Sequence, residues 1–228
     1  MTTLIATPDS ASAPPASPVE GESRFLIHGL DWDGYEKLLE VFGDDGPRLS
    51  YLDGMIELMS PHIAHERPKK RLAMMVEALT EELDIPRVSL GSTTFRRATA
   101  QRGAEPDECY YLTNRERLTG QAVGDLDVLP PPDLVIEIEM SSPLLDKLAI
   151  YARLGVAEIW RYDGEALTVL LLQPEGRYDA SQRSRAFPFL PMDSFADWLR
   201  ADDSNDEVRW IKAFRIWLRE VVAPLYHP

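Results

Sequence analysis

Hydrophobic and polar positions alternate most regularly through Pro132-Asp133-Leu134-Val135-Ile136-Glu137-Ile138-Glu139-Met140-Ser141-Ser142. Leu134, Ile136 and Ile138 fall on one face of a strand, and Asp133, Val135, Glu137 and Glu139 on the other. Around this strand the pattern predicts further elements in chain order. Order begins near Arg24-Phe25-Leu26-Ile27. Asp31 caps a helix with Tyr35, Leu38, Leu39 and Phe42 at helical spacing, ended by Gly43. Two apolar runs, Arg48 to Leu52 and Met55 to Met59, flank Asp53-Gly54 and read as a hairpin. His62 to Leu83 is a helix whose apolar stripe is Leu72, Met75, Val76, Leu79 and Leu83, with Pro68 in its first turn or at its true start. Val88 to Arg96 reads as one strand bent at Gly91. Glu105 to Leu112 reads as another, after a turn at Arg102-Gly103. Leu144 to Leu154 is a helix stopped by Gly155. Glu158 to Tyr162 and Leu167 to Leu172 are strands joined by a turn at Asp163-Gly164. Arg177 to Leu190 is a further hairpin or irregular edge. Asp193 caps a short helix through Leu199, and Asp206 to Val222 is the last helix.

From His62 the order is helix, three strands, helix, strand. A strand, a helix and a strand between Leu134 and Tyr162 imply a parallel crossover. The fold class is therefore α/β, a mixed central sheet flanked by helices, with an N-terminal helix-hairpin and C-terminal helices. The chain of 228 residues with 44% hydrophobic content suffices for one sizeable core. Residues 1–22, rich in Pro, Ser and Ala, are expected to be a disordered tail, and 23–228 one domain. The N-terminus lacks the apolar stretch of a signal peptide, and no run reaches the length of a membrane span. With a single cysteine, Cys109, the chain fits the cytoplasm. A net charge of −14 argues against holding nucleic acid by bulk electrostatics, though not against a local basic path.

Carboxylates crowded on one strand face repel unless a cation or basic side chain sits among them. A half-exposed strand with solvated acids is the plain reading of this pattern, and a divalent metal site the sharper one. If the strand at Glu105 pairs with that at Asp133, Asp107 can lie near Glu137. Two hard oxygen donors on adjacent strands suit Mg²⁺ or Mn²⁺. Lys147, on the helix directly after Glu139, is the candidate to hold a phosphate or the attacking water.

Pro106-Asp107 followed by Glu137-x-Glu139 in this order of elements resembles the PD-(D/E)XK nuclease superfamily. Leu52-Asp53-Gly54, Glu57, Met59-Ser60-Pro61 and His65 resemble the Uma-type restriction endonuclease family more closely. So do Glu105-Pro106-Asp107, Pro132 to Glu137, Lys147-Leu148-Ala149-Ile150-Tyr151-Ala152 and Leu154 to Trp160. The resemblance spans about Asp31 to Leu199. It implies a metal-dependent nuclease fold and, by analogy, hydrolysis of DNA phosphodiester bonds with Mg²⁺ or Mn²⁺ as cofactor. Asp107 and Glu137 would be metal ligands, with Glu57 as a further metal or water contact. The superfamily has lysine two residues after the acid. Glu139 stands there, as a ligand or a base for water, and Lys147 would reach in from the helix. His65 would cap or pack at its helix start, or contact phosphate.

Basic residues at Arg67, Lys69, Lys70, Arg71, Arg96, Arg97 and Arg102 either flank a DNA backbone path or balance surface acids. Arg209, Lys212, Arg215 and Arg219 read as an exposed helix face. The aromatic face of that helix, Trp210, Phe214 and Trp217, covers the core or joins a second subunit in a homodimer. The rival to a nuclease is a catalytically inactive binding or oligomerisation module with the same fold.

Overall fold

A computed structural model describes residues 23–43, 46–60, 63–118, 124–201 and 205–227. The expected tail, 1–22, lies outside the described residues, as does His62. The strands form two sheets. The first holds β1 (Ser23–His28), β2 (Arg48–Leu52), β3 (Met55–Ser60), β5 (Phe95–Arg97) and β6 (Arg102–Ala104), in the spatial order β1-β3-β2-β6-β5. The second holds β4 (Val88–Ser89), β7 (Glu108–Tyr111), β8 (Leu134–Ile138), β9 (Glu158–Tyr162), β10 (Leu167–Leu172) and β11 (Tyr178–Ser181), in the order β11-β10-β9-β8-β7-β4. The expected parallel crossover is β8–α3–β9, with α3 spanning Lys147–Leu154. The remaining strand pairs are antiparallel, including the β2–β3 hairpin at Asp53-Gly54.

Burial explains the layering. Leu134, Ile136 and Ile138 join Tyr110 and Trp160 in a core covered by α2 (Ile63–Glu82), α4 (Met192–Arg200) and α5 (Glu207–Trp217). The opposite face of the same sheet, with Val135, Cys109 and Ile159, is covered by Ile150, Tyr151 and Leu154 of α3. Phe95 and Ala104 of the first sheet share that second core, so α3 is wedged between the sheets. α1 (Trp32–Phe42), capped by Asp31, packs Tyr35 on Leu49, Tyr51 and Ile56. Among the described residues no helix is long and apolar enough to cross a membrane.

Several local expectations are corrected. The single strand from Val88 to Arg96 is two strands in different sheets, parted by Gly91 in the left-handed region (φ +57°). Arg102-Gly103 is inside β6 rather than a turn; the chain reverses at Ala98–Ala100, with Gln101 left-handed. α2 begins at Ile63 and runs through Pro68. Proline removes one helical hydrogen bond there, while the buried run Leu72, Met75, Val76 and Leu79 holds the helix to the sheet. α3 starts at Lys147, not Leu144, because the Asp146 carboxylate accepts from the Ala149 N–H and caps it. Pro191 occupies the cap position of α4, and Asp193 lies in its first turn. The last helix gives way at Leu218–Val222 to a π-helical turn.

Candidate active site

The β7–β8 register pairs Glu108 with Ile136 and Cys109 with Val135. Continued by one residue, it sets Asp107 opposite Glu137, and the Asp107 N–H still donates to the Ile136 carbonyl at 3.2 Å. Past the end of β7, the Asp107 carboxylate takes over from the backbone. Its Oδ2 accepts the Ile138 N–H at 2.6 Å, a donor that would otherwise be orphaned at the strand end. Asp107 is fully buried and its charge is met from two sides. Arg48 of β2 pairs with Oδ1. His65, in the first turn of α2 and itself buried, brings Nε2 to 3.1 Å from both oxygens.

Glu137 is the second buried acid, facing α3. Lys147 Nζ lies 2.8 Å from its Oε2, and the Tyr151 hydroxyl donates to Oε1. Lys147 and Tyr151 are four apart, one helical turn, and so reach the same carboxylate. Burial, then the neighbouring Glu137 charge, pushes the Tyr151 hydroxyl well above its usual range, which keeps it a neutral donor.

Glu57, on β3, is also buried, but its oxygens are committed elsewhere. Arg24 of β1 pairs with Oε1, and Oε2 accepts the Leu144 and Leu145 N–H groups at 2.5 and 2.8 Å. Arg24 also donates to Ser141 Oγ at 3.2 Å. Glu57 thus ties the first sheet to the loop that leads into Lys147. Glu139 is the more open acid: half-buried, with Arg161 Nη1 3.7 Å from its Oε2. Burial and the Glu137 charge raise its carboxyl above the usual range. Burial likewise raises Glu105, against the pull of Arg48, whose Nε is 3.8 Å away. A cavity of about 510 Å³ opens beside this cluster, lined by Glu139, Ser141, Ser142, Lys147, Arg161 and Asp163.

The structure therefore joins Lys147 to Glu137 and His65 to Asp107, sets Asp107 opposite Glu137 in the strand register, and places Glu139 on the cavity wall. Hard carboxylate oxygens suit a divalent ion, but those of Asp107 and Glu137 are already engaged by Arg48, His65, Lys147 and Tyr151. Among the described residues, no three His, Cys, Asp or Glu side chains are grouped to hold a metal ion. Two carboxylates are the type of donor Mg²⁺ or Mn²⁺ takes, and an ion that used them would have to displace these side chains.

The sequence reading missed Arg48, Arg24 and Tyr151. Tyr151 carried a usable signal, its spacing from Lys147. Arg48 carried none, since it reaches Asp107 from the other sheet, and Arg24 meets Glu57 only through the β1–β3 pairing, which no turn residue marks in the sequence. Three of the basic residues considered for a backbone path are engaged within the fold. Arg71 is buried, stacks over Trp210 at 4.9 Å and donates to the Leu199 carbonyl. Arg97 bonds the Leu126 and Arg153 carbonyls, and Arg102 pairs with Asp53 at 2.8 Å. Asp133, read from the sequence as sharing a face with Glu137, accepts from the Leu112 and Asn114 N–H groups. Glu158, another buried acid, is taken by Trp160 Nε1 and the Arg185 and Ala186 amides.

The Uma2 family model, described as "Putative restriction endonuclease", matches residues 32–201. Among solved structures, one described as a putative nuclease from Anabaena variabilis is 18% identical, with a TM-score of 0.49. That likeness covers 83% of this chain and 99% of the other. No curated protein matches the chain.

Proposed function

The chain belongs to the Uma2 family of putative restriction endonucleases, and from that premise we propose that it is a metal-dependent endonuclease hydrolysing DNA phosphodiester bonds. One observation carries the reading: Asp107 stands opposite Glu137 in the β7–β8 register, with the Lys147 ammonium 2.8 Å from Glu137. Two carboxylates from adjacent strands and a lysine make up the superfamily's chemistry, with the lysine moved from the strand to the following helix. Asp107 and Glu137 would hold Mg²⁺ or Mn²⁺. When bound, the ion supplies charge neutralisation at phosphorus and a more acidic water.

The chain's own groups do the remainder. Lys147, at the cavity wall, neutralises charge that builds on the phosphate oxygens. Tyr151 and Lys147 together fix the Glu137 carboxylate. Glu139, at the open side of the cavity, accepts the proton of the attacking water. Hydrolysis forms one bond from the water oxygen to phosphorus and breaks one phosphate ester bond, whose oxygen takes a proton from solvent. Glu57 holds the loop before Lys147 and so positions the lysine.

The test is nicking of supercoiled plasmid with Mg²⁺ or Mn²⁺ against chelator. Cleavage is expected to need the ion, to fall to background in Asp107→Ala and Glu137→Ala, and to drop about a hundredfold in Lys147→Ala. Nicking that persists in chelator, or survives both acid substitutions, would overturn the reading. A second reading, a nuclease fold that binds without cutting, is favoured by the full neutralisation of Asp107 and Glu137 by basic side chains. A protein that retains DNA but takes up no divalent ion would support it.

A further inference from the structure

The Arg48 guanidinium stands among three carboxylates. Nη1 pairs with Asp107, Nη2 is 3.8 Å from Glu66 Oε1, and Nε is 3.8 Å from Glu105 Oε1. Its side chain is 9% exposed and that of Asp107 is fully buried, so this ion pair is sheltered from solvent. Glu66 differs: its side chain is 48% exposed and lies at the first turn of α2. Arginine keeps its charge under all ordinary conditions, so the guanidinium cannot relieve a nearby cation by losing a proton. It can only stay on Asp107 or move to another carboxylate. Two such carboxylates, Glu66 and Glu105, already lie 3.8 Å from the guanidinium.

We infer that Arg48 is a latch on the metal position: it neutralises Asp107 and competes with a divalent ion for it, releasing toward Glu66 and Glu105 when the ion enters. This rests on the reading of Asp107 as a metal ligand. A guanidinium at this point has two consequences. Asp107 is not left as an uncompensated buried charge, which would be strongly destabilising. In addition, the ion must separate a sheltered ion pair before it binds, so metal affinity is weaker than the carboxylates alone would give. Glu105 strengthens the inference. It is half-buried, and it loses little by gaining a closer cation.

The experiment is a Mn²⁺ titration of the full chain, stripped of metal with chelator, read by the electron paramagnetic resonance signal of free Mn²⁺. Wild type, Asp107→Asn, Arg48→Gln and Arg48→Lys are compared, with thermal melting of each at zero and saturating Mn²⁺. Arg48→Gln is expected to bind Mn²⁺ at least about tenfold more tightly than wild type. It should also melt lower than wild type without metal and gain more from Mn²⁺. Arg48→Lys, which keeps the charge but reaches less far, should fall between the two and decides the matter if the glutamine variant does not fold. Asp107→Asn should lose the site. Binding no tighter in either Arg48 variant, with Asp107 still required, overturns the latch and leaves the nuclease reading intact. Mn²⁺ bound by none of the four proteins, or bound equally by Asp107→Asn, overturns both.

Discussion

Glu57 illustrates how a single residue can sit at a site and yet serve its frame. The family resemblance marked it as a metal or water contact, whereas its two oxygens hold Arg24 and the amides of Leu144 and Leu145. These alternatives predict different things. As an anchor, Glu57→Gln leaves the Arg24 charge buried without its counter-ion, and the cost should be roughly 3 kcal/mol in denaturant unfolding. Mn²⁺ affinity should then change little. A variant of full stability with lost Mn²⁺ affinity would instead make Glu57 a ligand. At this scale the sequence was informative wherever spacing alone decides proximity. Glu137 and Glu139 share a strand face by period two, and Asp107 follows from the pairing of neighbouring strands. Arg48 escaped because no periodicity links β2 to a carboxylate beside the other sheet, and Arg24 because nothing in the sequence pairs β1 with the distant strand β3.

Elements were legible where a cap or turn residue marks an end, and misread where the chain changes sheets. Asp53-Gly54 and Gly155 mark their boundaries by backbone preference. The stretch from Val88 to Phe95 shows a bend at Gly91 but no mark that its two ends join different sheets, since both ends are extended. Helix pairing was also hidden. Arg215 of α5 and Arg219 of the following π-helical turn read as an exposed helix face, and Arg219 is exposed, yet both clasp Glu82 of α2, at 2.9 Å and 2.6 Å. The hydrogen bond from Arg219 is the main cause that lowers the Glu82 carboxyl from its usual 4.5 to about 2, with Arg215 adding to it and burial opposing. A carboxyl lowered on folding stabilises the folded chain above its unfolded value. That contribution is therefore present above pH 4.5 and is lost as the pH falls toward 2. Partial exposure makes it modest. Glu82→Gln is expected to lower stability at pH 7 and to flatten the fall in stability over that acid window. Parallel acid unfolding curves for the variant and wild type would show that the α2–α5 clasp contributes nothing.

The whole molecule does not end where the family match ends. The match covers residues 32–201, while the core on the α2 face of the second sheet continues into Trp210, Phe214, Leu218 and Val222, each buried. Phe214 of α5 thus packs edge-to-face with Trp198 and Phe195 of α4, and Trp210 lies under the Arg71 guanidinium. Trp210 and Phe214 are therefore taken up by this core, while Trp217 beside them is only half-buried. Burying one such side chain contributes roughly 1.5–3 kcal/mol. The C-terminal segment therefore contributes as much as the whole margin of a typical domain, about 5–15 kcal/mol. Removing residues 205–228 should not yield an intact shorter nuclease. The truncated chain should lose near-ultraviolet circular dichroism and cooperative melting, and sediment as aggregate, because α4 and the sheet face beneath it are opened to water. A truncated chain that remains a folded monomer, and still depends on Asp107 for any Mn²⁺ it binds, would show that residues 1–204 fold without α5 and that α5 is an addition.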